Sequence, residues 1–246
     1  RDATGLALYE QREDIQTRVS MTDPAFETNL SAIVEKYGRI ASSKVYRGGG
    51  IFYFFEGSID MDPGQISNLH WDIDSDENLC VHSLGKQIKV YKDQGSAEDL
   101  IKAHEIKVGR CTHGIGHVRL ATESVENINF AHPFVSYLYP ELSLVHNGQF
   151  TNYFKMRRKL EALGIRFKTS NDTEMAAHFI AYQMKEKGQD LEGALHTALD
   201  TFDGLFTILV ATGDQIGALR DRLAFKPVVF YEGEDGTVLF GSEQIS

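Results

Sequence analysis

Leu142–Tyr153, LSLVHNGQFTNY, is where the chain changes from strands to helices. An apolar run of strand length ends in His-Asn-Gly, and a polar lead into a helical pattern follows at once. Upstream, the chain reads mostly as strand: ATGLALYE (3–10), KVYRGGGIFYFFEG (44–57), two runs meeting at Gly85 between Asn78 and Asp93, and HGIGHVRLAT (113–122). Helices interrupt these strands where Asp23-Pro24 leads a periodic set from Phe26 to Tyr37, after Asp62-Pro63, and over Ser96–His104. Downstream come three helices in succession: Thr151–Leu163 closed by Gly164, Asp172–Lys187 closed by Gly188, and Leu191–Phe202 capped by Asp190. Four strand candidates then finish the chain, at Leu205–Ala211, Ile216–Arg220, Pro227–Tyr231 and Thr237–Phe240. Strands joined this closely pair antiparallel, because a parallel crossover needs about a dozen residues or more. Two antiparallel blocks separated by a helical run predict an α+β chain, two mainly antiparallel sheets with helices stacked outside them. Asn-Gly itself reads most simply as a turn, except that a helix and not a second strand follows it.

Composition removes several functions. The 246 residues are 42% hydrophobic and 11% aromatic, ordinary for a soluble globular protein. A balance of 35 acidic against 25 basic residues, formally −10, opposes binding to phosphate backbones, so nucleic acid is not an expected partner. The basic cluster Lys155, Arg157, Arg158 and Lys159 reads as the wet face of a helix whose Met156, Leu160 and Leu163 point inward. No apolar run approaches the ~20 residues of a membrane helix. Cys80 and Cys111, the only cysteines, are too few for a disulfide framework or a four-cysteine iron–sulfur cluster and lack the CxxC spacing of a zinc site, and no signal peptide is visible. A cytoplasmic protein with no metal of its own is expected. No repeat, low-complexity tract or Pro/Gly-rich linker is visible, so one domain, 1–246, is expected, and both of its ends read as cut from something longer.

Three elements could carry chemistry. Arg119 and Thr122 close the glycine-bearing strand, where a guanidinium fork and a hydroxyl could hold a carboxylate; a surface arginine is the plainer reading. Asp172 opens a helix within SNDTE, with Asn171 and Glu174 at capping-box spacing, and could accept from an ammonium group or simply favour the helix end. Asn147 and Gly148 offer a side-chain amide and a backbone N–H side by side, the donors of an oxyanion hole. A carboxylate clamp, an ammonium acceptor and an oxyanion hole together describe a site for an amino-acid amide or acyl substrate.

The motifs GIGHVRLAT (114–122), NFAHPF (129–134), LSLVHNGQFTN (142–152), SNDTE (170–174), GLFTILVATGDQIGALRDRLAFKPVV (204–229) and LFGSE (239–243) stand in this order. Together they resemble the class II, N-terminal-nucleophile glutamine amidotransferases, closely over His113–Glu243 and loosely over the whole chain. Through THGIGHVRLATES (112–124) and SLGKQIKVYKD (83–93) the chain is most similar to stand-alone subunits related to the first domain of glutamate synthase.

The resemblance implies a four-layer αββα sandwich, the Ntn-hydrolase fold, and a glutaminase that hydrolyses glutamine to glutamate and passes ammonia to a synthase subunit. Flavin (FMN) and iron–sulfur centres would belong to that partner, with none in this chain, and a homo- or hetero-oligomer is expected. Arg119 would bind the α-carboxylate beside Thr122, Asp172 the α-ammonium, and Asn147 with Gly148 the oxyanion. His132-Pro133 matches a shared loop without assigned chemistry. The family's nucleophile is an N-terminal cysteine, expected here upstream of Arg1, since RDATGLALY (1–9) resembles a segment downstream of it; the resemblance thus implies a domain lacking its first strand and cut short at its C-terminus. Cys111 and His113 would share a strand face, a geometry that could suit a thiol–imidazole pair, but structural cysteines are the stronger expectation. A non-catalytic glutamine-binding regulatory subunit is the rival function.

Overall fold

The computed structural model describes residues 3–119 and 127–243, with Arg119 in its backbone alone. In chain order the elements are β1 (Ala3–Tyr9), β2 (Ile15–Met21), α1 (Glu27–Val34), β3 (Gly38–Arg47), β4 (Tyr53–Met61), α2 (Ile66–Asp74), β5 (Leu79–Gly85), β6 (Ile88–Gln94), α3 (Ala97–Ala103) and β7 (His113–Arg119). There follow β8 (Phe134–Ser136), β9 (Tyr139–Phe150), α4 (Tyr153–Ala162), α5 (Asp172–Lys187), α6 (Leu191–Thr201), β10 (Gly204–Ala211), β11 (Ile216–Arg220), β12 (Val229–Glu232) and β13 (Val238–Gly241). No described helix is long and apolar enough to cross a membrane.

Two-residue alternation builds the layers. In β9 and β10, Leu142, Leu144, Phe206, Ile208 and Val210 face out to Met156 and Leu160 of α4, Met175 and Ile180 of α5, and Leu195 of α6. Val145, Leu209 and Ala211, on the opposite face, meet Ala7, Tyr9, Val90 and Ile115 of the sheet β6-β1-β7. On the far side of that sheet, Leu6, Leu8 and Tyr91 pack against Leu100 of α3. The order is therefore helices, the sheet β11-β10-β9-β8, the sheet β6-β1-β7, helix: the expected αββα sandwich, with every described pairing in it antiparallel. Tyr9 ties the two sheets together, donating to Ala211 O (2.8 Å) and lying 2.8 Å from Ser143 Oγ, and burial pushes its phenol pKa far up.

Several expectations need correction. A third sheet, β3-β4-β2-β5, carries α1 and α2 on a core of its own. Its β2, IQTRVSM, lacks a plain strand pattern because an arginine stands mid-strand. Arg18 is 1% exposed, donates to Glu56 (2.7 Å) and Val90 O (3.0 Å), and lies 4.3 Å from the centre of the Tyr91 ring. β5 and β6, joined by Lys86-Gln87, pair with β2 and β1 and not with each other. Side chains take the backbone groups a hairpin would use: Ser83 Oγ accepts from Val90 N (3.2 Å), Arg18 occupies Val90 O, and the Glu141 carboxylate accepts from Lys86, Gln87 and Ile88 N–H. β12 and β13 pair only with each other among the described strands. The chain leaves the main sheet at Asp221, whose carboxylate accepts from Phe206 N and Leu223 N. Leu163, expected inside, is 57% exposed, because α4 ends one residue earlier and the chain turns through Gly164 at φ +85°.

Candidate active site

Asn147-Gly148 is not a turn. β9 continues through the pair to Phe150, with Asn147 opposite Thr207 and Gly148 opposite Phe206 of β10. Gly148 has φ +135°, and a Cβ there would lie 1.9 Å from Leu205 O and 2.8 Å from Phe206 Cα. Only glycine combines that backbone with that approach. Asn147 shares the face of Val145, the side turned to the second sheet, and is exposed. Its amide makes no hydrogen bond among the described residues, so its donors are open to a ligand.

Asp172 is the first residue of α5, set by its neighbour: Asn171 Oδ1 accepts from Thr173 N at 2.8 Å. The expected capping box does not form, since Asn171 caps the second helical N–H and not that of Glu174. Glu174 turns away from the helix end to accept from Lys168 N, Thr169 N and Thr169 Oγ1 at 2.5–2.7 Å, folding the preceding loop onto α5. Asp172 reaches β9 on both sides of Asn147-Gly148: it accepts from Phe150 N–H and lies 3.7 Å from His146 Nδ1. Burial pushes its carboxyl pKa up, but the His146 and Phe150 contacts outweigh this and hold it below the usual carboxylate range. It is an anion beside the two candidate oxyanion donors.

Behind these residues lies a buried cluster that sequence reading missed. Thr173 Oγ1 is 3.2 Å from His146 Nδ1, 3.2 Å from His132 Nε2 and 3.3 Å from Asp172 Oδ1. His132 Nδ1 accepts from the backbone N–H of His146 (3.1 Å), which in a neutral ring puts the proton on Nε2, toward Thr173. The His117 ring of β7 lies tilted at 4.5 Å from His132, and His146 stacks 4.4 Å from Phe150. The shared motifs NFAHPF, HNG and SNDTE hold these residues, so their meeting could be suspected from sequence. The hydrogen bonds that join them span 14–41 residues and have no local signature.

Arg119 ends β7 opposite Ala3 in the β1–β7 pairing; its side chain and all of Thr122 lie outside the described residues. Cys111 and His113 are not a strand-face pair, because β7 begins at His113. The His113 ring stacks on Tyr9 at 4.5 Å, and its Nε2 is 2.8 Å from Thr212 O. Burial raises the Cys111 thiol and pushes the Cys80 thiol to about 12, so neither is a ready thiolate. Among the described residues no three His, Cys, Asp or Glu side chains gather as metal ligands.

A family model for the glutamine amidotransferase domain matches residues 117–246, which hold every residue of this cluster. A Methanothermobacter thermautotrophicus protein described as a glutamine amidotransferase is 32% identical over 251 residues, covering 100% of this chain and 82% of its own. The chain belongs to the class II glutamine amidotransferase family. The amidotransferase-like protein GlxB of Rhizobium meliloti is 43% identical over 166 residues, 68% of this chain and 54% of GlxB. Amidophosphoribosyltransferase 3 of Arabidopsis thaliana is 35% identical over 130 residues, 52% of this chain. The chain thus spans about half of GlxB, and its match to the plant enzyme covers 24% of that protein. Among solved structures, an allosteric regulatory enzyme of purine biosynthesis superposes with TM-score 0.53 at 17% identity, covering 98% of this chain and 41% of the other. The Bacillus subtilis glutamine phosphoribosylpyrophosphate amidotransferase gives 0.51 at 19% identity, a likeness of fold.

Proposed function

We propose that this chain is the glutamine-hydrolysing domain of a larger assembly. Glutamine would lie with its α-ammonium on Asp172, its α-carboxylate on Arg119 and Thr122, and its side-chain carbonyl oxygen between the Asn147 amide and Gly148 N–H. A thiolate carried on chain preceding Arg1 attacks the amide carbon. The tetrahedral oxyanion is held by the two donors, ammonia leaves, and water releases glutamate from the thioester. The observation that carries this reading is Asp172 anchored to β9 at His146 and Phe150, the two sides of the open Asn147 amide. Ammonia then passes to a synthase partner, of glutamate synthase type by the motif likeness, which would hold any flavin or iron–sulfur centre.

The full-length protein tests this. Glutamate release from glutamine, with covalent labelling of one cysteine outside Arg1–Ser246 by a diazo-ketone glutamine analogue, is the expected result. Glutamine binding by calorimetry without release would instead establish a regulatory binding subunit. Equal turnover of small acyl amides would mean a different amidase.

A further inference from the structure

The cluster of Thr173, His132 and His146 lies almost wholly inside the protein. Thr173 is fully buried, and His132 and His146 are 8% and 5% exposed. Its connections are specific all the same. Thr173 follows the candidate ammonium acceptor in sequence, and His146 precedes the first oxyanion donor. His132 reaches both, through Thr173 Oγ1 at 3.2 Å and His146 N at 3.1 Å. The one hydroxyl of Thr173 therefore links the start of α5 to the strand that carries Asn147 and Gly148. Asp172 itself touches β9 only at the two ends of this stretch, through Phe150 N–H and at 3.7 Å from His146 Nδ1, so the Thr173 hydroxyl is the bridge between them.

We propose that Thr173, with His132 and His146, is a positioning unit that sets the distance from ammonium acceptor to oxyanion donors and so makes the site select glutamine over its one-methylene-shorter homologue asparagine. This rests on the substrate reading above. A rigid ruler discriminates by misalignment: when the ammonium is seated, an amide one methylene short places its carbonyl carbon away from the donors. A misplacement of about 1 Å costs on the order of a hundredfold in rate. One methylene is ordinarily worth about 10–200-fold in selectivity. Thr173 touches no reacting atom, and its effect runs wholly through Asp172 and His146.

The test uses the full-length protein, with kcat, KM and calorimetric Kd measured for glutamine and for asparagine. Thr173→Val keeps volume and removes the hydroxyl. The expected result is a glutamine-over-asparagine ratio lowered about tenfold or more, with the glutamine KM raised and the fold intact by circular dichroism. Thr173→Ser, which keeps the hydroxyl, restores the ratio. His132→Asn is the second variant: its Oδ1 can still accept from His146 N while the link to Thr173 is lost, and the ratio falls again. A purely structural cluster would lower thermal stability and leave the ratio alone, and that outcome overturns the proposal. If the wild type binds both amino acids but hydrolyses neither, the hydrolysis reading fails while the ratio of Kd values still decides the ruler. If it binds no glutamine, both fall.

Discussion

Lys92 lies in β6 with 3% exposure, its Nζ 4.9 Å from the centre of the Phe134 ring, beside a 30 Å³ cavity that Asp74, Cys80, Glu174 and His178 also line. Burial lowers its pKa from 10.5 to about 8, against the upward pull of Cys80, Asp74 and Glu174. At 1.36 kcal/mol per pKa unit, the folded state bears a penalty of roughly 3 kcal/mol for holding this ammonium charged at neutral pH. Because the folded pKa is the lower one, the unfolded chain binds more protons between about pH 8 and 10.5. Stability contributed by this residue therefore rises with pH across that window and is flat below it. Lys92→Met keeps the length of the side chain and removes the charge. Urea melts at pH 7 should show the variant more stable by about 2–3 kcal/mol, somewhat less than the full penalty because a cation over an aromatic face is worth about 0.5–2 kcal/mol. The advantage should shrink as pH approaches 10. A variant less stable than wild type at pH 7, or a gap that does not change between pH 7 and 10, would refute the reasoning.

The remaining predictions concern the site. Asn147→Ala should lower kcat for glutamine by about 10²–10³, the usual cost of one oxyanion donor, and wild-type turnover would remove Asn147 from the mechanism. Asp172→Asn should raise the glutamine KM about 10–100-fold, since hydrogen bonds to charged groups are worth roughly 1.5–3 kcal/mol; steady-state kinetics read this directly. For Gly148→Ala, backbone strain and the collision with Leu205 O should together cost roughly 2–5 kcal/mol in thermal melts, and unchanged stability would mean that β9 and β10 are not paired there.

Much of the helical half was legible because its boundaries are written locally. Asn171 as N-cap and Gly188 at φ +67° give α5 the limits its sequence predicts, and Asp190 does the same for the start of α6. The strands were harder. Lys86-Gln87 looks like a hairpin connection, and only Glu141, more than fifty residues away, shows why β5 and β6 part there. Asn-Gly favours a turn by propensity, yet cross-strand pairing with Thr207 and Phe206 keeps it extended. At the site, Asn147 and Asp172 could be named from sequence; the hydroxyl and imidazoles joining them lie within the same shared motifs, but the bonds between them could not be read, because a buried hydrogen bond between distant segments leaves no periodic trace. For Arg119 and Thr122 the strand end suggested a carboxylate clamp and the family likeness favoured it over a surface arginine, so their part in the site stands as a proposal.

Gly5, in the middle of β1, faces the backbone of His132: a Cβ there would stand 1.8 Å from His132 O. The two residues are 127 positions apart, yet neither can change course without the other. An alanine at position 5 would be felt first not in β1, which tolerates alanine at Ala3 and Ala7, but at the histidine that anchors His146. The glycine in ATGLALY is therefore an address, written near one end of the chain, for a loop that folds back to it from the middle.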